Sequence, residues 1–283
     1  MAGADRRGLL AALLVASPVV VGVAYAVAGA LGVAGAGAGG LSGARIVRVM
    51  GEAAVWESVG WTLWVAAAST LLATVAAIGI AVVFRGGGRM DRVARAAAAI
   101  PLPVPHVVAG VMGLLVLGQS GLLSRLAHAA GWIAAPGEMP ALVYDRFGIG
   151  LVATMAWKET AFLAVVAWGI LAGRGAELEE AARTLGADRW QTFRRVTLPI
   201  LWRGLLPAAA AAFAFVLGSY EAAVLLGPSD PLPLPVLTME RYTDAALSRR
   251  GDAYVLVLLG IGLAALVVAA HERARARWES LDS

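Results

Sequence analysis

Cysteine is absent, so disulfides, thiol nucleophiles and thiolate metal sites are all excluded. Histidine is scarce: His106, His128 and His271 are scattered without metal-ligand spacing, and neither a metal nor a cofactor is expected. Lysine occurs once, at Lys158, and the next residue is Glu159. A phosphate-cradling loop needs Gly-Lys-Ser/Thr, so the chain cannot hydrolyse ATP through one. No hydrolase triad or metal motif offers another chemistry. The expectation is a protein that is not an enzyme; if it moves a solute uphill, the energy must come through a partner. Charge is thin too, at 15% of residues.

What fills the chain instead is apolar. Sixty per cent hydrophobic residues and a mean hydropathy of +0.77 place it among all-helical integral membrane proteins. Its 283 residues allow about six spans with short connections. These are expected at about 8–33, 59–84, 98–117, 148–171, 205–226 and 253–270. A removable leader competes for the first run, because Arg6 and Arg7 precede an apolar stretch with small residues after it. The length of the run favours a retained first helix. A layout of 1–58 as first helix and outside linker, 59–271 as core and 272–283 as charged tail follows.

The net charge of +4 would suggest nucleic acid in a soluble protein. In a membrane chain it reflects arginines held at the inner face, and no nucleic-acid partner is expected. Fifteen arginines fall between spans on one side and seven on the other, which puts both termini and the 174–203 loop inside.

Ionisable groups within the spans are few. Lys158 and Glu159 sit near the middle of the fourth, and Glu221 towards the outer half of the fifth. Charges at that depth face a protein interior or an aqueous cavity. Adjacent helical residues point about 100° apart, so Lys158 and Glu159 cannot form a simple pair. Lining of a polar pathway and bonding to a neighbouring helix both remain open for all three. Pro101, Pro103 and Pro105 make the start of the third span irregular. His106 follows, either as a proton-relay or ligand group or as a helix-start histidine bonded to a free carbonyl.

One long polar stretch interrupts this pattern, ELEEAARTLGADRWQTFRRVTLPILWRGLLP from Glu177 to Pro207. Acidic residues open it, Gly186 breaks it, and Asp188 with Gln191 has the spacing of a capping box. It reads as a short helix, a glycine break and a second short helix ending at Leu198-Pro199. Glu180-Ala181-Ala182, then Gly186, then Val196-Thr197-Leu198-Pro199 resembles the EAA loop of ABC importer permeases. The motif spans about twenty residues, with Val196 where isoleucine is common in the family.

That resemblance implies the six-span type I permease fold and a chain that forms the solute pathway. It implies that Glu180, Ala181, Ala182, Gly186, Leu198 and Pro199 dock on a separate ATP-hydrolysing subunit. Further implied partners are a second permease, identical or not, an extracytoplasmic solute-binding protein, membrane lipid and a small solute. The stretch from Ala214 to Asp244 is similar to the polyamine, ferric-iron, thiamine and sulfate group. The competing class is a secondary transporter or ion channel using Lys158, Glu159 and Glu221, which predicts discontinuous helices in two related halves.

Overall fold

The computed structural model describes residues 2–35 and 37–279, without the side chains of 2–7, 9–11, 174, 274 and 277–279. The last four residues of the expected tail lie outside the described residues. So do the side chains of Arg6, Arg7, Arg174 and Arg277, on which the charge asymmetry partly rests. Every long regular element among the described residues is helical. Among the described residues six stretches are long and apolar enough to cross a membrane: Ala12–Ala30, Ala53–Val83, His106–Ala129, Ile149–Gly173, Arg189–Leu217 and Leu247–Arg273.

The chain groups into two compact units. The first holds residues 1–59 and 234–263. It contains α1 (Ala2–Ala30), α2 (Ala44–Met50), the first turns of α3 (Ala53–Val83), α12 (Leu234–Thr243) and the start of α13 (Leu247–Glu279). Leu14, Val15, Val19, Val20 and Val21 of α1 are exposed, as a lipid-facing helix requires. Tyr25 of α1 meets Tyr254 of α13 edge-on, with ring centroids 5.7 Å apart. Arg45 donates to the carbonyls of Gly29 and, at 2.9 Å, of Gly37, which ties α2 to the end of α1.

The second unit holds 60–233 and the remainder of α13. Its elements are the rest of α3, α4 (Arg89–Ala99), α5 (His106–Leu117), α6 (Leu122–Ala129), α7 (Ile149–Ile170), α8 (Ala176–Thr184), α9 (Arg189–Thr192), α10 (Leu198–Leu217) and α11 (Tyr220–Leu226). Ala73, Ala77 and Ala81 form a small-residue stripe on α3 that meets Leu163, Ala164 and Ala167 of α7 and Leu201 and Leu205 of α10. In lipid, helices associate through close packing rather than exclusion from water, and alanine permits that approach. Gly113 of α5 serves the same end, since a Cβ there would stand 3.0 Å from the Leu226 side chain of α11. Trp61 and Trp64 donate indole hydrogens to the carbonyls of Arg146 and Phe147, at 2.8 and 2.9 Å, and fix the chain leading into α7.

Three expected boundaries are corrected. The third span does not begin at Ala98: α4 ends at Ala99, and the helix restarts at His106. Pro103 and Pro105 lack the N–H groups that Ala99 and Pro101 would need as i+4 donors. The fifth span does not run on to Leu226, because Gly218 and Ser219 separate α10 from α11. Finally, the second loop helix does not stop at Leu198-Pro199. A widened helical turn, Phe193–Thr197, carries the chain straight into α10. Pro199 has no N–H to give the turn before it, and the widened turn falls where that bond is missing.

Candidate functional site

The polar loop is a built object rather than a floppy connection. After α7 a widened turn, Leu171–Gly175, contains a backbone break at Gly173 with φ −91° and ψ −128°. There the chain bends into α8, whose first turn carries Glu177 and Glu179, the sign that suits a helix N-terminus. The helix ends in a Schellman arrangement: Gly186 N–H donates to Arg183 O and Ala187 N–H to Ala182 O, each at 3.0 Å. Gly186 holds φ +87°, a left-handed value that a side chain makes costly. The expected capping box is present. Gln191 N–H donates to the Asp188 carboxylate at 2.8 Å, and Asp188 N–H donates to Gln191 Oε1 at 3.2 Å.

Neighbouring glutamates in α8 have opposite surroundings. Glu180 is exposed, as are Ala181, Gly186 and Pro199, while Ala182 and Leu198 are half-buried. Glu179 is buried. Its two oxygens lie 2.6 and 2.7 Å from Arg85 Nη1, and Thr197 Oγ1 donates to it at 2.5 Å. Around Gly186 the loop presents two large apolar groups to the outside, Leu185 at 89% and Trp190 at 65% exposure. Sequence reasoning singled out Glu180 and passed over Glu179, Leu185 and Trp190. The doublet Glu179-Glu180 was the available signal, since adjacent helical residues point about 100° apart and can meet different surroundings.

A second polar cluster lies in the same unit. Lys158 and Glu159 are both buried on α7 and point apart. Lys158 Nζ donates to the carbonyl of Pro101 at 3.3 Å. That carbonyl also takes the Val104 N–H at 3.2 Å, but Pro105 has no N–H to continue a helix there. Glu159 Oε1 stands 3.6 Å from His106 Nε2, too far for a hydrogen bond, and the His106 ring lies 4.3 Å from that of Phe215. His106 Nε2 is buried and has no hydrogen-bond partner, so the carbonyl-bonded reading of this nitrogen does not hold. Glu221 is exposed in the first turn of α11. The structure thus draws Glu159 and His106 together and gives Lys158 a backbone partner.

Residues 69–277 match the family of binding-protein-dependent transport system inner membrane components. The chain belongs to that family. The permease is 34% identical over 209 residues to the molybdenum transport system permease protein ModB of Mycobacterium tuberculosis, covering 72% of this chain and 73% of the relative. A probable molybdenum ABC transporter permease protein of Haloferax volcanii is 31% identical over 180 residues, 64% of this chain and 61% of its own length. The sulfate transport system permease protein CysW of Synechocystis is 32% identical over 169 residues, 57% and 56% of the two chains. In fold the permease is similar to a chain of a bacterial ABC transporter that imports alginate, with a TM-score of 0.72, 17% identity and 96% of both chains covered. The six-span, all-helical type I permease architecture is therefore established, and the permease is a transport subunit rather than a catalytic one.

Proposed function

We propose that the loop 174–203 is the surface through which this permease engages a separate ATP-hydrolysing subunit, with Glu180, Ala181, Ala182, Gly186, Leu198 and Pro199 in the docking segment. One observation carries this reading: Glu180, Leu185, Gly186 and Trp190 stand exposed on a loop whose central turn is capped on both sides and whose neighbouring Glu179 is anchored. A rigid ridge with uncovered apolar side chains is what a docking groove needs. The arginine asymmetry supports placing this loop and both termini in the cytoplasm. A second permease and an extracytoplasmic binding protein complete the importer, and the pathway runs beside Lys158, Glu159 and Glu221.

The solute is a small inorganic oxyanion of the molybdate or sulfate type. The names of the similar permeases support this choice over polyamine, ferric iron or thiamine. Uptake of labelled molybdate and sulfate into proteoliposomes holding the assembled importer decides between them.

The absence of cysteine makes the docking test clean, because one introduced thiol is the only thiol on this chain. The E180C variant cross-links to the ATPase subunit in the purified complex; recovery of the permease with no such adduct contradicts the reading. Gly186→Val adds about 1–2 kcal/mol of backbone strain, and a new Cβ meets nothing within 4 Å of this chain. The variant inserts normally yet loses transport, because the added bulk stands in the docking face. Normal uptake by Gly186→Val removes that residue from the contact.

A further inference from the structure

We propose that Glu179, rather than the exposed Glu180, is the positioning residue that transmits movement of the docking loop to the membrane helices. This rests on the docking reading above and adds the path by which docking reaches the pathway.

Both ends of the loop are mechanically soft. It is bracketed by the widened turns Leu171–Gly175 and Phe193–Thr197, and the first contains the backbone break at Gly173. Such turns lack the regular i→i+4 ladder and are places where a helix bends. A push on α8 would be absorbed there unless something bridges the turns. Glu179 is that bridge. Its carboxylate holds Arg85, two residues past the end of α3, and Thr197, the last residue before α10. Arg183, one turn on in α8, adds a looser contact at 3.6 Å. One buried carboxylate therefore fastens α8 to α3 and α10, two helices that share the alanine-rich core with α7.

The geometry suits a tie more than a mere filler. The carboxylate is buried, and the charge-assisted bonds to Arg85 are short, the kind that resist stretching. Glu180, one residue on, makes no comparable bond among the described residues and is exposed to a partner.

The test uses the whole importer in proteoliposomes and a readout that needs no solute. A single thiol is introduced as Y220C on α11, at a partly exposed position given no part in the pathway, and its maleimide labelling rate is measured with and without ATP. In the otherwise native chain ATP changes the rate by about fivefold or more, the lower end of ordinary coupling between sites. In Y220C/E179A that change disappears, while ATP is still hydrolysed and the separate E180C/E179A variant still cross-links to the ATPase. The charge-swapped Y220C/E179R/R85E chain recovers part of the response, which ties the response to the 85–179 pair. T197V, which removes one hydroxyl, reduces the response without abolishing it and serves if E179A fails to assemble.

A full ATP response in E179A, or an undiminished one in T197V, overturns the assignment of Glu179 and leaves docking intact. Loss of response without any recovery in the charge swap also overturns it. Absence of both the E180C cross-link and the ATP response in the native background defeats the docking reading, and the Glu179 link with it.

Discussion

Asp252 and Glu159 are both buried carboxylates on membrane helices, yet their surroundings are opposite. Asp252 is wholly enclosed in the first unit. Arg48 donates to its two oxygens at 2.6 and 2.9 Å, Arg241 approaches at 3.4 Å and Arg45 at 4.0 Å. Arg241 also holds Glu52 at 2.6 Å. The hydrogen bond from Arg48 to Asp252 is the leading reason that the Arg48 pKa lies above its ordinary value. Among the described residues Glu159 in the second unit has no hydrogen-bonded partner for its carboxylate and lies 3.6 Å from His106, while the adjacent Lys158 is turned to Pro101. A saturated carboxylate has no capacity left for a visitor. An undersatisfied one does, and buried polar groups left short of partners are where function is to be sought.

The largest effect follows from emptying the saturated site. Asp252→Ala leaves the buried Arg241 and the partnered Arg48 without their shared anion, a loss of about 3–5 kcal/mol by analogy with other broken buried pairs. Little folded permease accumulates, and what is recovered melts well below the native complex. Normal yield and thermal stability would erase the distinction drawn between the two carboxylates. Glu159→Gln sharpens it from the other side. The permease assembles and melts as before, but uptake falls about tenfold, equivalent to about 1.4 kcal/mol on the transport barrier. Equal losses of stability and uptake would make Glu159 a structural residue like Asp252.

How far the sequence revealed these sites depends on the range of the forces involved. The loop was legible because its signals are local: a capping box at Asp188 and Gln191, and a glycine where φ is positive. The six spans were legible because twenty apolar residues in a row have few other uses. Breaks inside spans were harder. The Pro101–Pro105 break announced itself through missing N–H groups, whereas Gly218-Ser219 carries no such mark and looked continuous. The ion clusters were invisible. Arg48 and Asp252 are 204 positions apart, and Arg85 and Glu179 are 94 apart, so only the folded chain joins them. Arg241, one of the seven arginines counted on the outer side, is buried at the heart of one cluster.

Asp244 gives the comparison its third, weakest case, a carboxylate that water reaches. It takes the Ala246 N–H at 2.8 Å just before α13 begins and lies 3.5 Å from Arg249. The backbone hydrogen bond, ahead of the Arg249 charge, lowers its pKa below the usual carboxylate value. The sign of the linkage is fixed by that direction. The folded state prefers the ionised form, so its stabilisation is complete above the unfolded pKa of about 3.9 and is lost as pH falls through the lower folded value. Asp244→Asn keeps the oxygen that accepts from Ala246 and removes only the charge. The native chain should therefore melt slightly above Asp244→Asn near neutral pH, with the gap constant down to about pH 4 and closing below it. A gap that persisted at lower pH would mean that geometry rather than charge makes Asp244 useful. The number of bonded partners, which separates Asp252 from Glu159, would then not govern a carboxylate in water.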